Sequence, residues 1–110
     1  MIFVCFGTRP EVVKMAPIVW ELKKRAIPHK LLFTGQHKEL FEDVSDLIPT
    51  PDFNLNIMAS SKNLNESLSN ILTKSHALLA QHNPSLVLVQ GDTTTVLGIS
   101  LASFNLGIPV

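Results

Sequence analysis

The sequence predicts an open parallel α/β sheet with helices on both faces, and three observations carry that reading. Short apolar runs at residues 1–6, 30–34 and 85–90 are too short for helices and favour β structure. They alternate with longer segments of helical periodicity, the pattern of parallel strands joined by crossover helices and covered on both faces. Each run then breaks at a turn that combines a glycine with polar side chains: Gly7, Gly35 and Gly91.

Taken in order, residues 1–6 form a buried first strand that ends at Gly7. Pro10 fits the first turn of a helix whose apolar face is Val12, Val13, Met15, Ala16, Ile18, Val19 and Leu22, with Glu21, Lys23, Lys24 and Arg25 on its wet side. Pro17 removes a backbone donor there and predicts a kink or restart, and the helix is expected to finish near Ala26, before Pro28. Residues 30–34 are the second strand. Leu40, Phe41, Val44 and Leu47 give residues 39–47 a helical spacing, whereas Pro49, Pro51, Asp52 and Asn54 make residues 48–56 read as an irregular connection. From Asn63, the recurrence of Leu64, Leu68, Ile71, Leu72, Leu78 and Leu79 marks an amphipathic helix that ends before Pro84, its stripe belonging to the core. Residues 85–90 are the third strand, residues 96–106 an apolar helix closed by Gly107, and residues 108–110 the start of a fourth strand. A doubly wound sheet is expected to continue, so the sequence reads as cut partway through a domain.

Composition limits the function classes. The 110 residues suit one domain, with 45% hydrophobic and 16% charged residues. Nine basic residues balance nine acidic ones, so no broad field is available to hold a nucleic acid or an anionic membrane, and any anion site must be local. The apolar stretches are strand-sized and no secretory leader is evident, which predicts a cytoplasmic protein. A lone cysteine, Cys5, excludes an internal disulfide and a cysteine metal cluster, and its place in an apolar run makes it a core residue.

In an open parallel sheet, ligands bind beyond the carboxyl ends of the strands, and three turns fall at that edge. In Gly7-Thr-Arg-Pro-Glu-Val-Val-Lys14, the glycine lets a backbone approach a ligand and the helix start offers amides. Arg9 presents a rigid fork of donors for a phosphate, or else an exposed salt bridge. Lys14, one turn on, reaches the same anion or is a solvated charge. In Thr34-Gly-Gln-His37, Gln36 and His37 follow the second strand; the histidine donates to phosphate, shuttles a proton or caps a helix. In Gln90-Gly-Asp-Thr-Thr-Thr95, Asp92 is either a helix N-cap or an acid, base or ligand-positioning carboxylate, and Thr93 and Thr94 cap a helix or bind oxygen atoms. Neither a Walker motif nor a Gly-x-Gly-x-x-Gly fingerprint is present, and no histidine has carboxylate or cysteine partners at zinc-ligand spacing.

Four blocks closely resemble the non-hydrolysing UDP-N-acetylglucosamine 2-epimerases, in family order: Gly7-Thr-Arg-Pro-Glu-Val-Val-Lys-Met-Ala-Pro17, Thr34-Gly-Gln-His37, Pro51-Asp-Phe-Asn-Leu-Asn-Ile-Met58 and Val87-Leu-Val-Gln-Gly-Asp-Thr-Thr-Thr95. The resemblance implies a glycosyltransferase-B-like enzyme with two Rossmann-like domains, of which residues 1–110 supply part of the first. It implies interconversion of UDP-N-acetylglucosamine and UDP-N-acetylmannosamine without metal or redox cofactor, by loss of the C2 proton and of UDP followed by re-addition of both. By resemblance, Arg9 and Lys14 bind substrate, Asp92 is one of the acid/base carboxylates, and Gln36 and His37 line the cleft. Further catalytic carboxylates, a UDP-holding C-terminal domain and a homodimer are expected of the whole enzyme, with this chain inactive alone. Two rivals are a hydrolysing or modified-sugar epimerase on the same scaffold, and a non-catalytic nucleotide-binding module.

Overall fold

The computed structural model describes residues 1–35 and 44–110. The first apolar run becomes strand β1 (Ile2–Phe6), and its alternation divides the core. Phe3 and Cys5 point to one face of the sheet, Val4 and Phe6 to the other. Strand β2 (His29–Phe33) does the same with Leu32 against Leu31 and Phe33. Such double burial is why these strands read as continuous apolar runs. Cys5 is fully enclosed, and burial pushes its thiol pKa well up, as expected of a core residue.

Helix α1 (Arg9–Lys24) covers one face with Val12, Met15, Ala16, Val19 and Leu22, joined by Val44 and Ile48. The opposite face is covered by α2 (Ile57–Ser60), α3 (Leu64–His82) and α4 (Thr94–Asn105), through Ile57, Ile71, Leu79, Ile99 and Ala102. Helices α3 and α4 pack closely at Gly98, where a Cβ would stand 2.5 Å from Ile71 Cγ2. With strand β3 (Phe53–Asn54) and strand β4 (Leu86–Leu88), the parallel sheet has the order β3-β2-β1-β4. The chain leaves β1 through α1 toward β2 on one side, and later returns through α3 on the opposite face to set β4 on the other side of β1. The helices that leave β1 and β4 therefore diverge to opposite faces, which makes those two strand ends the switch point where sheets of this kind form a ligand crevice.

Several expectations change. Helix α1 runs without a break through Pro17, because the proline lies on the exposed side while the buried side chains before and after it share one core. The connection at residues 48–56 contains β3: Asp52 N donates to Leu31 O at 2.9 Å, Leu31 N donates to Asp52 Oδ2 at 2.8 Å, and Leu55 N donates to Phe33 O at 2.9 Å. Residues 108–110 are not an assigned strand, although Val87 N donates to Pro109 O at 2.9 Å beside β4. Leu64, expected in the core stripe, is 70% exposed at the first position of α3, where Asn63 caps the helix through Glu66 N at 2.8 Å. The helical spacing at residues 39–47 lies mostly outside the described residues, as do Gln36 and His37.

Candidate functional site

The crevice is built from the turns after β1 and β4. The backbone leaves β1 at Gly7 and enters α1 through Thr8, whose φ of −132° and ψ of 161° make it the N-cap residue. Three residues on, Glu11 folds back. Its Oε2 accepts from Gly7 N at 2.7 Å and from Thr8 N at 2.8 Å, the carboxylate half of a capping box. A negative side chain in the first turn also meets the positive end of the helix dipole. Glu11 is only 2% exposed, so it lies beneath the turn rather than on it. The hydroxyl of Thr8 is buried as well, without a hydrogen-bond partner among the described residues.

Gly7 has a second reason to be glycine. A Cβ there would sit 2.2 Å from Thr95 Oγ1 and 2.3 Å from Thr34 Oγ1. Those two hydroxyls are hydrogen-bonded to each other at 2.9 Å and fully buried, so the ends of β1 and β2 and the start of α4 meet at one point. Beside the ligand approach expected of it, Gly7 thus admits two threonines.

On the β4 side, Gly91 adopts φ +109°, a conformation that side chains resist, and turns the chain toward α4. The N-cap of α4 is Thr93, not Asp92: Thr93 has φ −85° and ψ 169°, and its Oγ1 accepts from Val96 N at 3.5 Å. The same Thr93 hydroxyl donates to Glu11 Oε1, joining the two turns across 82 residues of sequence. Asp92 is thereby relieved of the capping role. It is exposed, with no hydrogen bond or ion pair among the described residues.

Arg9 and Lys14 on α1 are likewise exposed and unpaired among the described residues. The ion pairs found there are Arg25 with Glu21 and Lys30 with Asp52, and Arg9 forms none among the described residues. Thr94 is half-buried and its hydroxyl is unpartnered among the described residues. Glu11 and Thr8 were not singled out in the sequence, yet Thr8-x-x-Glu11 directly after a strand is the capping-box signature that marks them. Among the described residues no three His, Cys, Asp or Glu side chains lie together to hold a metal, and no helix is long and apolar enough to cross a membrane.

A parallel sheet that reverses its order between β1 and β4, with unpaired polar side chains at that switch point, defines a Rossmann-like α/β protein. The sequence profile of the UDP-N-acetylglucosamine 2-epimerases matches residues 21–110, and the chain belongs to that family. It is 46% identical over 107 residues to UDP-N-acetylglucosamine 2-epimerase of Escherichia coli (strain K12), which covers 96% of this chain and 28% of the relative. A crystal structure of the Neisseria meningitidis UDP-GlcNAc 2-epimerase bound to UDP-GlcNAc superposes with a TM-score of 0.89 at 41% identity, covering 99% of this chain and 30% of that one. The Methanocaldococcus jannaschii UDP-GlcNAc 2-epimerase in complex with UDP-GlcNAc and UDP gives 0.87 at 34% identity, with 97% and 30% covered. The chain thus spans less than a third of the length of these relatives and corresponds to their N-terminal portion.

Proposed function

We propose that the chain contributes the first half of a UDP-N-acetylglucosamine 2-epimerase active site. Residues 1–110 are part of an N-terminal Rossmann-like domain, and a second, UDP-holding domain closes the crevice from the other side. Asp92 acts as one of the acid/base carboxylates at the sugar, Arg9 and Lys14 hold the anionic diphosphate, and Thr94 donates to an oxygen of the substrate. Gln36 and His37 line the same cleft. The observation that carries this reading is the free state of Asp92: a carboxylate at the switch point whose capping role has been taken by its neighbour.

In the reaction, the C2–H bond breaks with its proton passing to an enzyme base, and the C1–O bond to UDP breaks with the electron pair leaving on UDP. The 2-acetamidoglucal that remains has a double bond between C1 and C2. UDP then adds back at C1 as a proton is delivered to the opposite face of C2. Both proton moves need groups on the two sides of the sugar, so the 110 residues by themselves are inactive and bind the UDP-sugar weakly. The whole enzyme acts in the cytoplasm as a homodimer.

The test is turnover of UDP-N-acetylglucosamine in D2O by the complete polypeptide that carries this sequence. UDP-N-acetylmannosamine with deuterium at C2 and no net release of UDP is expected, with Asp92→Asn reducing the rate by at least about 100-fold. Net UDP with free N-acetylmannosamine would mark a hydrolysing enzyme instead. An Asp92→Asn enzyme of unchanged rate would remove the assignment of Asp92.

A further inference from the structure

We infer that Glu11 is a positioning residue of the crevice: it locks the turn after β1 to the turn after β4 and fixes the polarity of the Thr93 hydroxyl. Three donors converge on one buried carboxylate. Gly7 N and Thr8 N reach Oε2 at 2.7 and 2.8 Å, and the Thr93 hydroxyl reaches Oε1. The two amides belong to rigid backbone at the end of β1 and pin the carboxylate in place. The third bond then holds the start of α4, and with it the preceding Asp92, at one distance from the start of α1.

Polarity follows from the same count. The carboxylate accepts, so the Thr93 proton is directed at Glu11 and its lone pairs face Val96 N and the crevice. Thr93 can accept from a ligand but has no proton to offer one. Of the adjacent pair, Thr94 is the hydroxyl able to donate to a phosphate or sugar oxygen. Glu11 also satisfies the amides of Gly7 and Thr8, the groups that a phosphate would otherwise seek at this helix start. Those two amides are accordingly closed to an anion at this helix start.

The kinetic test rests on the epimerase reading and uses the complete enzyme. In Glu11→Gln, the amide oxygen can keep the Gly7 and Thr8 bonds, but the NH2 group turns to Thr93 and forces that hydroxyl to reverse. The expected result is a kcat lowered by about 10-fold or more with KM changed by less than about 2-fold, the split of a misplaced catalytic turn. Thr93→Val should lower kcat similarly, Thr93→Ser should retain it, and Glu11→Gln with Thr93→Val should be no worse than either alone. Effects that multiply in the double variant, or a Glu11→Gln enzyme within about 2-fold of wild type, overturn the inference. If Glu11→Gln does not fold, the Thr93 pair decides: a Thr93→Val enzyme as active as Thr93→Ser overturns it. If the wild-type enzyme does not epimerise, the functional reading fails by itself. The coupling is then read from backbone amide resonances, where unmoved Gly91, Asp92 and Thr93 signals in Glu11→Gln would sink it.

Discussion

The turns after β1 and β4 have similar sequences, each a glycine followed by hydroxyl and charged residues, yet the structure treats them oppositely. The first is closed from within. Its two leading amides are held by Glu11, its glycine is pressed against Thr34 and Thr95, and its Thr8 hydroxyl is buried. The second is open: Asp92 stands in solvent and Thr94 keeps an unpartnered hydroxyl among the described residues. A glycine-rich strand end is therefore no guarantee of a ligand loop, because a carboxylate three residues into the helix can occupy the place of the anion. What the closed turn provides is a fixed base on which the open one is mounted.

Substitutions that separate packing from chemistry sharpen this contrast. Gly7→Ala should have the largest effect on stability, since the added methyl meets two mutually bonded, fully buried hydroxyls; a loss of about 3 kcal/mol is expected from urea denaturation. A loss below about 0.5 kcal/mol would mean that the three elements do not meet tightly there. Glu11→Ala comes next. It leaves the Gly7 and Thr8 amides without their acceptor, but water can enter from the side of exposed Gly91, so about 2 kcal/mol is expected. The smallest effect belongs to Thr8→Val. The Thr8 hydroxyl faces the Glu11 backbone in the capping box without a hydrogen bond of normal geometry, so a methyl of similar shape in its place should change stability by less than about 1 kcal/mol. A clear loss would reveal a partner for that hydroxyl and make the first turn less closed than described.

The sequence made the scaffold legible because double burial leaves a plain mark. Apolar runs at β1, β2 and β4 and the stripe of α3 could be read directly, and the positions of Gly7 and Gly91 followed from the ends of those runs. Strand β3 could not be read, since its two residues carry no periodicity and its pairing depends on Asp52 gripping the backbone of Leu31. Leu64 fits a helical stripe by spacing, but as the first residue of α3, next to the capping Asn63, it is left in solvent. At the candidate site, the sequence placed Arg9, Lys14, Asp92, Thr93 and Thr94 in and after the turns that follow β1 and β4, as the structure has them, while leaving the choice between Asp92 as cap and Asp92 as free carboxylate open. Only three-dimensional proximity resolves that choice, because it is decided by which neighbouring side chain takes the cap. The Thr34–Thr95 bond, across 61 residues, has no sequence signal at all.

The bond between Glu11 and Thr93 also has a consequence for the order of assembly. A growing chain makes Glu11 early, together with the two amides that it holds, but its last partner arrives 82 residues later. Closing so long a loop is entropically unfavourable until β4 has docked beside β1, so the crevice is expected to form after the sheet. Mutational analysis of the folding rate should then find Thr93 unformed in the transition state while Ile71 or Val4 is partly formed. A fold built in that sequence docks its strands before the two turns are joined, so loss of the Thr93 hydroxyl is expected to speed unfolding rather than slow folding.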